Sequence, residues 1–402
     1  MGNGRRERIR VAVVVALVAG AVAGFGSPVT ASSTGSSQLQ GVSCVSATSC
    51  VAVGFSSATT SGPDRTLAER WNGTAWSIVA SPNPLGAGAS RLASVSCSAA
   101  NACFAVGHQV VQTSGAVKTL IEHWNGSAWS IVAGPNPAGA DSSRLAGVKC
   151  TSNTFCVAVG SQGVTSSGVV KTLVERWNGT KWSMVASPNP AGDRYPRLNA
   201  VTCTSTVRCV AVGDSLGPDG VLHTLVERWN GTSWSIIASP NPDAGEGGEL
   251  LGVSCTTSAN CIAVGDYLLG GAGRPATLVE RWDGTRWSIV TSPVPERSYN
   301  TLQGVSCVST RCMAAGYYNA YGPPPAYTFL GVKTLVDRWN GERMSIIASP
   351  NPASAFNVLA AVSCTVVSNC FAVGRFSTST SGPFNTLVER WNGTAWTVVA
   401  SP

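Results

Sequence analysis

Residues 144–190 read RLAGVKCTSNTFCVAVGSQGVTSSGVVKTLVERWNGTKWSMVASPNP, and the same order of cysteines, tryptophans and turn residues recurs in seven units along the chain. The cysteines fall in pairs: Cys44/Cys50, Cys97/Cys103, Cys150/Cys156, Cys203/Cys209, Cys255/Cys261, Cys307/Cys312 and Cys364/Cys370, which use all 14. Their first members recur at a near-constant period of roughly 50 residues. Each pair is followed by a segment like Trp-Asn-Gly-Thr-x-Trp. Trp71/Trp76, Trp124/Trp129, Trp177/Trp182, Trp229/Trp234, Trp282/Trp287 and Trp391/Trp396 account for 12 of the 13 tryptophans; Trp339 faces Met344. Self-similarity at such a period marks a stacked or radial repeat architecture, which needs no single central core.

Within the third unit four short runs rich in Val, Ile and Trp, at 145–150, 156–160, 172–177 and 182–186, read as strands separated by Gly, Pro and Asn. A loop of about ten residues is expected between the second and third. Asn178-Gly179 offers the positive backbone angles of a tight hairpin, and the flanking tryptophans meet across it. Sustained helical periodicity is absent beyond Ala31. The expected fold is all-β: a seven-bladed β-propeller with four antiparallel strands per blade, its repeats near 38–90, 91–143, 144–196, 197–248, 249–300, 301–357 and 358–402. The units run in frame from end to end, so closure rests on packing between the first and last blades.

The segment 1–31 reads as an export signal, with Arg5, Arg6, Arg8 and Arg10 ahead of an apolar run at 11–25 and small residues at Val29-Thr30-Ala31. Cleavage after Ala31 would leave a short linker, 32–37, before the propeller. The apolar run at 11–25 falls short of the roughly 20 residues that a spanning helix needs. A secreted product without a transmembrane segment is therefore expected. Net charge is +7, but only 12% of residues are charged and no basic run follows Arg10. Binding along a phosphate backbone needs many clustered Lys and Arg, so nucleic acid is excluded as a partner.

In an exported chain an even number of cysteines points to disulfides, and the short separation within each pair brackets the turn between the first two strands of its unit. Zinc requires four converging ligands, which pairs a whole blade apart and three histidines do not supply. One intrablade bridge per blade is expected, as a staple at that turn.

Arg144, Gly160, Trp182 and the exit Ser187-Pro188-Asn189-Pro190 occur in the order of a kelch unit, and similar matches recur through 38–402. The chain thus resembles the kelch repeat family. That resemblance implies a propeller and leaves activity open, since kelch propellers include binding modules and copper oxidases. The oxidases need a free cysteine joined to a tyrosine and two histidine ligands, whereas every cysteine here belongs to a repeat pair.

Glu69/Arg70, Glu122/His123, Glu175/Arg176, Glu227/Arg228, Glu280/Arg281, Asp337/Arg338 and Glu389/Arg390 occupy one place in all seven units. A catalytic dyad is needed once, so these predict a structural ladder of ion pairs between blades. Asn72-Gly73-Thr74 and most of its copies match a glycosylation sequon, but the turn already accounts for the Asn and Gly. His123 and His223 replace basic residues of other units and read as surface substitutions. No phosphate loop, zinc-protease helix or serine elbow occurs, and no sequence motif calls for a metal or cofactor. Asp214, Glu249 and Asp266 are nonetheless of the residue type that binds calcium.

What differs between units is the face carrying the loops from second to third strand and from one blade to the next. The residue after the second-strand glycine reads Phe55, His108, Ser161, Asp214, Asp266, Tyr317 and Arg375 around the ring. Such a set suits a polar ligand such as a sugar, with the aromatics stacking and the charged groups bonding; drift at solvated loop starts is the other reading. A non-enzymatic binding module for a glycan, a cell-envelope polymer or an extracellular protein is the leading expectation. A lyase or hydrolase using His108, Asp214 and Asp266, and a structural envelope protein, are the alternatives.

Overall fold

The computed structural model describes residues 35–402 apart from 60, 61, 165, 243–245, 270–273, 296, 297, 324 and 325, so the expected leader at 1–31 lies outside the described residues. Within them there is no helix, and 28 strands, from β1 (Ser36–Ser46) to β28 (Trp396–Val398), form seven antiparallel groups of four. In the third group, β9 (Ser142–Ser152), β10 (Phe155–Val164), β11 (Val169–Trp177) and β12 (Trp182–Met184) pair in chain order.

The repeated residues of the sequence are one transverse row of each blade. In the third, Cys150 lies opposite Cys156, Cys156 opposite Trp177, and Trp177 opposite Trp182. All seven expected disulfides form, each between the two inner strands of its own blade. The tryptophan rings meet at 5.9 Å. The second-strand glycine has a steric cause: the innermost strand bulges beside it, and a Cβ on Gly160 would stand 1.9 Å from the Arg144 carbonyl oxygen.

Three consecutive residues from the innermost strand of every blade, such as Gln40-Gly41-Val42 and Ala146-Gly147-Val148, line an axial channel holding a cavity of about 180 Å³. Each hydrophobic core lies between two blades rather than within one; Val157, Val159 and Val174 pack on Leu198, Leu225, Trp229 and Trp234 of the next blade. The seam between last and first blades is built the same way. Phe371 contacts Trp71 and Trp76 at 5.3 and 5.4 Å, and Ser37 N–H donates to the Phe384 carbonyl at 2.8 Å. All four strands of the first blade come from the N-terminal end and all four of the last from the C-terminal end, so closure is by packing, as expected.

Several local expectations need correction. The bridges pair as expected and bracket the turn between the first two strands of each blade, and in addition one cysteine of each reaches the core. The second cysteine of every pair, Cys50, Cys103, Cys156, Cys209, Cys261, Cys312 and Cys370, is buried at 0–3% exposure. Each packs in an inter-blade cluster with the tryptophans of its own blade, as Cys103 does with Trp124 and Trp129, and Cys261 with Trp282 and Trp287. The reason is the ladder: the second cysteine stands directly opposite the first tryptophan on the third strand, on the face that meets the preceding blade. The disulfides therefore fill core space as well as closing a loop.

The second and third strands of the third blade pair as far as Val164 and Val169, so the ladder takes in 161–164 and 169–171 of the expected ten-residue loop. In the outer hairpin only the glycine takes a positive φ, 97° at Gly179; Asn178 instead turns its Oδ1 to accept from Thr180 N–H, Thr180 O–H and Lys181 N–H at 2.9–3.0 Å. The Thr of the sequon-like segment is thereby explained as a turn residue.

The ion-pair ladder does not form. Neighbouring residues of a strand point to opposite faces, which sends the acid towards the preceding blade and the arginine towards the following one. The seven carboxyls are 0% exposed. Six accept a hydrogen bond of 2.6–2.8 Å from a serine of the preceding blade: Ser81 to Glu122, Ser187 to Glu227, Ser239 to Glu280, Ser292 to Asp337, Ser349 to Glu389 and, across the seam, Ser401 to Glu69. Burial raises their pKa values, to about 6 for Asp337, about 7 for Glu69, Glu122 and Glu227, and about 8 for Glu175, Glu280 and Glu389. Arg70, Arg176, Arg228 and Arg390 lie over Trp124, Trp229, Trp282 and Trp71 of the next blade at 5.4–6.0 Å.

Candidate functional site

The variable residues after the second-strand glycines are not loop starts. Each lies inside the ladder, opposite a threonine of the third strand on one side and a residue of the innermost strand on the other. That innermost partner immediately precedes a buried leucine and is itself variable. The pairs are Gln38/Phe55, Arg91/His108, Arg144/Ser161, Arg197/Asp214, Glu249/Asp266, Thr301/Tyr317 and Val358/Arg375. Strand pairing therefore sets two concentric positions around one mouth of the channel. Asp214 is buried, and the other six second-strand residues are half-buried rather than solvated.

Around this mouth the side chains link blade to blade. Arg91 covers the Phe55 ring at 4.6 Å and pairs with Asp64 at 2.5 Å. Arg144 donates through Nη1 to His108 Nε2 at 2.9 Å. Burial, with Arg144 and Arg91 beside it, holds His108 down at about 4, so the imidazole is neutral and accepts. Arg144, read from the sequence as preceding its strand, lies within β9.

Arg197 bonds Asp214 at 2.8 Å and Glu249 of the next blade at 3.1 Å. Glu249 is pushed up to about 7 by burial and then by Asp266 and Asp214. Asp266, which accepts from the Thr301 hydroxyl at 2.9 Å, is pushed up to about 6 by burial. The structure thus joins Asp214 and Asp266 through Glu249 and Arg197, and keeps His108 in a separate basic arc. Among the described residues no group of three or more His, Cys, Asp or Glu is placed to hold a metal ion.

Tyr317 and Arg375 come together at a cavity of about 360 Å³ between blades six, seven and one. Its wall also holds Tyr299, Phe356, Gln40, Gln303 and Asn319. Aromatic faces and amides thus converge at one edge of the mouth. Burial raises the Tyr317 and Tyr299 phenols, which stay protonated and able to donate. The sequence reading passed over Tyr299, Gln303 and Phe356, and took Arg144 as a fold marker rather than a mouth residue. The signal for the inner ring was present: the residue before the repeated leucine varies from unit to unit as much as the residue after the glycine does.

No protein-family model matches the chain, and no curated protein does. Solved structures of similar fold do. A protein of unknown function from Dyadobacter fermentans superposes with a TM-score of 0.50 at 10% identity, covering 74% of this chain and 93% of that one. An ulvan lyase, a polysaccharide lyase, gives 0.47 at 9% identity over 73% and 80%. YCF48, bound to a D1 peptide, gives 0.41 at 10% identity over 76% and 80%. At such identities the likeness is one of fold.

Proposed function

We propose that the chain is an exported binding module that holds a glycan, free or within a cell-envelope polymer, at the mouth of its propeller. The observation that carries this reading is the cavity of about 360 Å³ in which Tyr299, Tyr317 and Phe356 stand beside the amides of Gln40, Gln303 and Asn319. Sugars present apolar faces and a ring of hydroxyls, which such a wall suits by stacking and by hydrogen bonding. Export is supported by the leader-like segment 1–31 and by the pairing of all 14 cysteines, which fits an oxidising compartment. No helix among the described residues is long and apolar enough to cross a membrane. In this reading the repeats are kelch-like, on the pattern of Arg144, Gly160, Trp182 and the Ser-Pro-Asn-Pro exit.

The test is a glycan and cell-wall polysaccharide array probed with the oxidised protein and with Tyr317→Ala. Retention that weakens in the variant supports the reading; retention of nothing shifts the partner to an extracellular protein. A second reading, a lyase or hydrolase, has its own observation: Glu249 and Asp266, with raised pKa values, lie within electrostatic reach of Tyr299 and Tyr317. Product release from a polysaccharide that stops in Glu249→Gln would favour it.

A further inference from the structure

Arg375 forms part of the cavity wall, and the groups around it do not balance its charge. Its guanidinium packs by the rings of Phe356 and Phe384, with centroids 5.4 and 5.0 Å away. One terminal N–H donates to the amide oxygen of Gln38, while Nε is buried without a partner. No carboxylate forms an ion pair with it among the described residues. The acidic group that acts on it is the Tyr317 phenol, which burial keeps neutral. Of the other arginines of the mouth, Arg91 has Asp64, Arg197 has Asp214 and Glu249, and Arg144 donates to the neutral His108 ring.

A cation held in a partly apolar wall, with an orphan donor and no counter-ion, gains most from a ligand that brings an anion. We propose that the cavity takes an acidic sugar, and that Arg375 binds its anionic group, a uronate carboxylate or a sulfate ester. This deepens the glycan reading and rests on it. The guanidinium supplies a planar fork of donors for the oxyanion, Tyr317 donates beside it, and Asn319 and Gln303 are left for the hydroxyls. Asp266 and Glu249, which also act on Tyr317, set a direction: the acidic group sits towards blade seven and away from them.

The test titrates the full, oxidised chain with oligogalacturonate, with the same oligosaccharide after reduction of its carboxyls to alcohols, and with a sulfated galactan oligosaccharide, for wild type and Arg375→Gln. The expected result is binding to one or both acidic ligands that falls about tenfold or more in the variant. Reduction of the carboxyls lowers wild-type affinity by a similar factor if a carboxylate is the group bound. Tight binding of only the sulfated ligand, lost in Arg375→Gln, assigns the sulfate ester instead. The wild-type comparison of charged with reduced ligand does not depend on how the variant folds. Equal binding of neutral and acidic glycans, or acidic binding unchanged in Arg375→Gln, overturns the assignment and leaves the glycan reading intact. Absence of binding to any glycan, neutral or acidic, overturns both.

Discussion

At the scale of single residues, the clearest feature is the serine-to-carboxyl hydrogen bond that crosses six interfaces, joined by a third-strand threonine hydroxyl in blades three, four and seven. In blade three, Ser187 Oγ lies 2.8 Å from Thr172 Oγ1 and donates to Glu227 of blade four at 2.8 Å. The interface between blades two and three lacks the serine because Gly134 stands in its place. Thr119 Oγ1 and both Glu175 carboxyl oxygens are then buried without partners. A Cβ on Gly134 would meet Glu175 Oε2 at 3.3 Å and the end of Ile121 at 2.9 Å, where most other blades carry the smaller Val. We predict that Gly134→Ser in an Ile121→Val background raises the free energy of unfolding by about 1 kcal/mol over Ile121→Val alone, as read from denaturant midpoints. In the converse experiment Ser187→Ala costs about 1–3 kcal/mol, because it strands a buried carboxyl. No gain in the first and no loss in the second would show that this hydrogen bond contributes nothing.

At the scale of elements, the outer hairpin depends on one side chain more than on its sequence of dihedrals. Asn178 Oδ1 gathers three donors, and Asp283 does the same in blade five at 2.7–2.9 Å, with its pKa held low first by the Thr285 hydroxyl. The acceptor oxygen is what the turn requires. Asn178→Asp is therefore expected to leave the thermal midpoint nearly unchanged at pH 7, while Asn178→Ala costs about 1–2 kcal/mol. Equal effects of the two substitutions would count against this account. The hairpin and its tryptophans were legible in the sequence because their causes are local. The lengths of the inner strands were not, since residues 161–164 and 169–171 read as loop and become ladder only where the neighbouring strand supplies partners.

At the scale of the whole molecule, stability is shared among seven interfaces, one of which joins the two ends of the chain. Phe371 fills that seam between Trp71 and Trp76. Phe371→Ala is expected to cost about 3–5 kcal/mol and to speed proteolytic nicking of the terminal blades; a loss below about 1 kcal/mol would mean that the seam does not hold the ring. The buried carboxyls add a pH dependence. Their folded pKa values of about 6–8 lie above the unfolded reference values of 3.8 for Asp and 4.5 for Glu, so the folded state binds more protons between these limits. Their contribution is fully present below the unfolded values and is lost as pH rises through the folded ones. A tenfold change in proton affinity corresponds to about 1.4 kcal/mol. The thermal midpoint should accordingly fall from pH 5 to pH 9, and a flat or rising profile over that range would contradict burial of these groups as acids.

The sequence by itself determined the number of blades, the strand order within each, the disulfide pairing and the hairpin turns, because each follows from a periodic, short-range pattern of residue types. It also marked the second-strand position that varies around the ring. Only the tertiary structure decided that one cysteine of each bridge reaches the inter-blade cores, that Glu and Arg of one dipeptide serve opposite interfaces, that Arg197 and Glu249 tie Asp214 to Asp266, and that Tyr299, Tyr317 and Arg375 share one cavity. Those groups come from different blades, and their meeting depends on the curvature of the closed ring. That curvature is set by packing between blades, which no single repeat encodes.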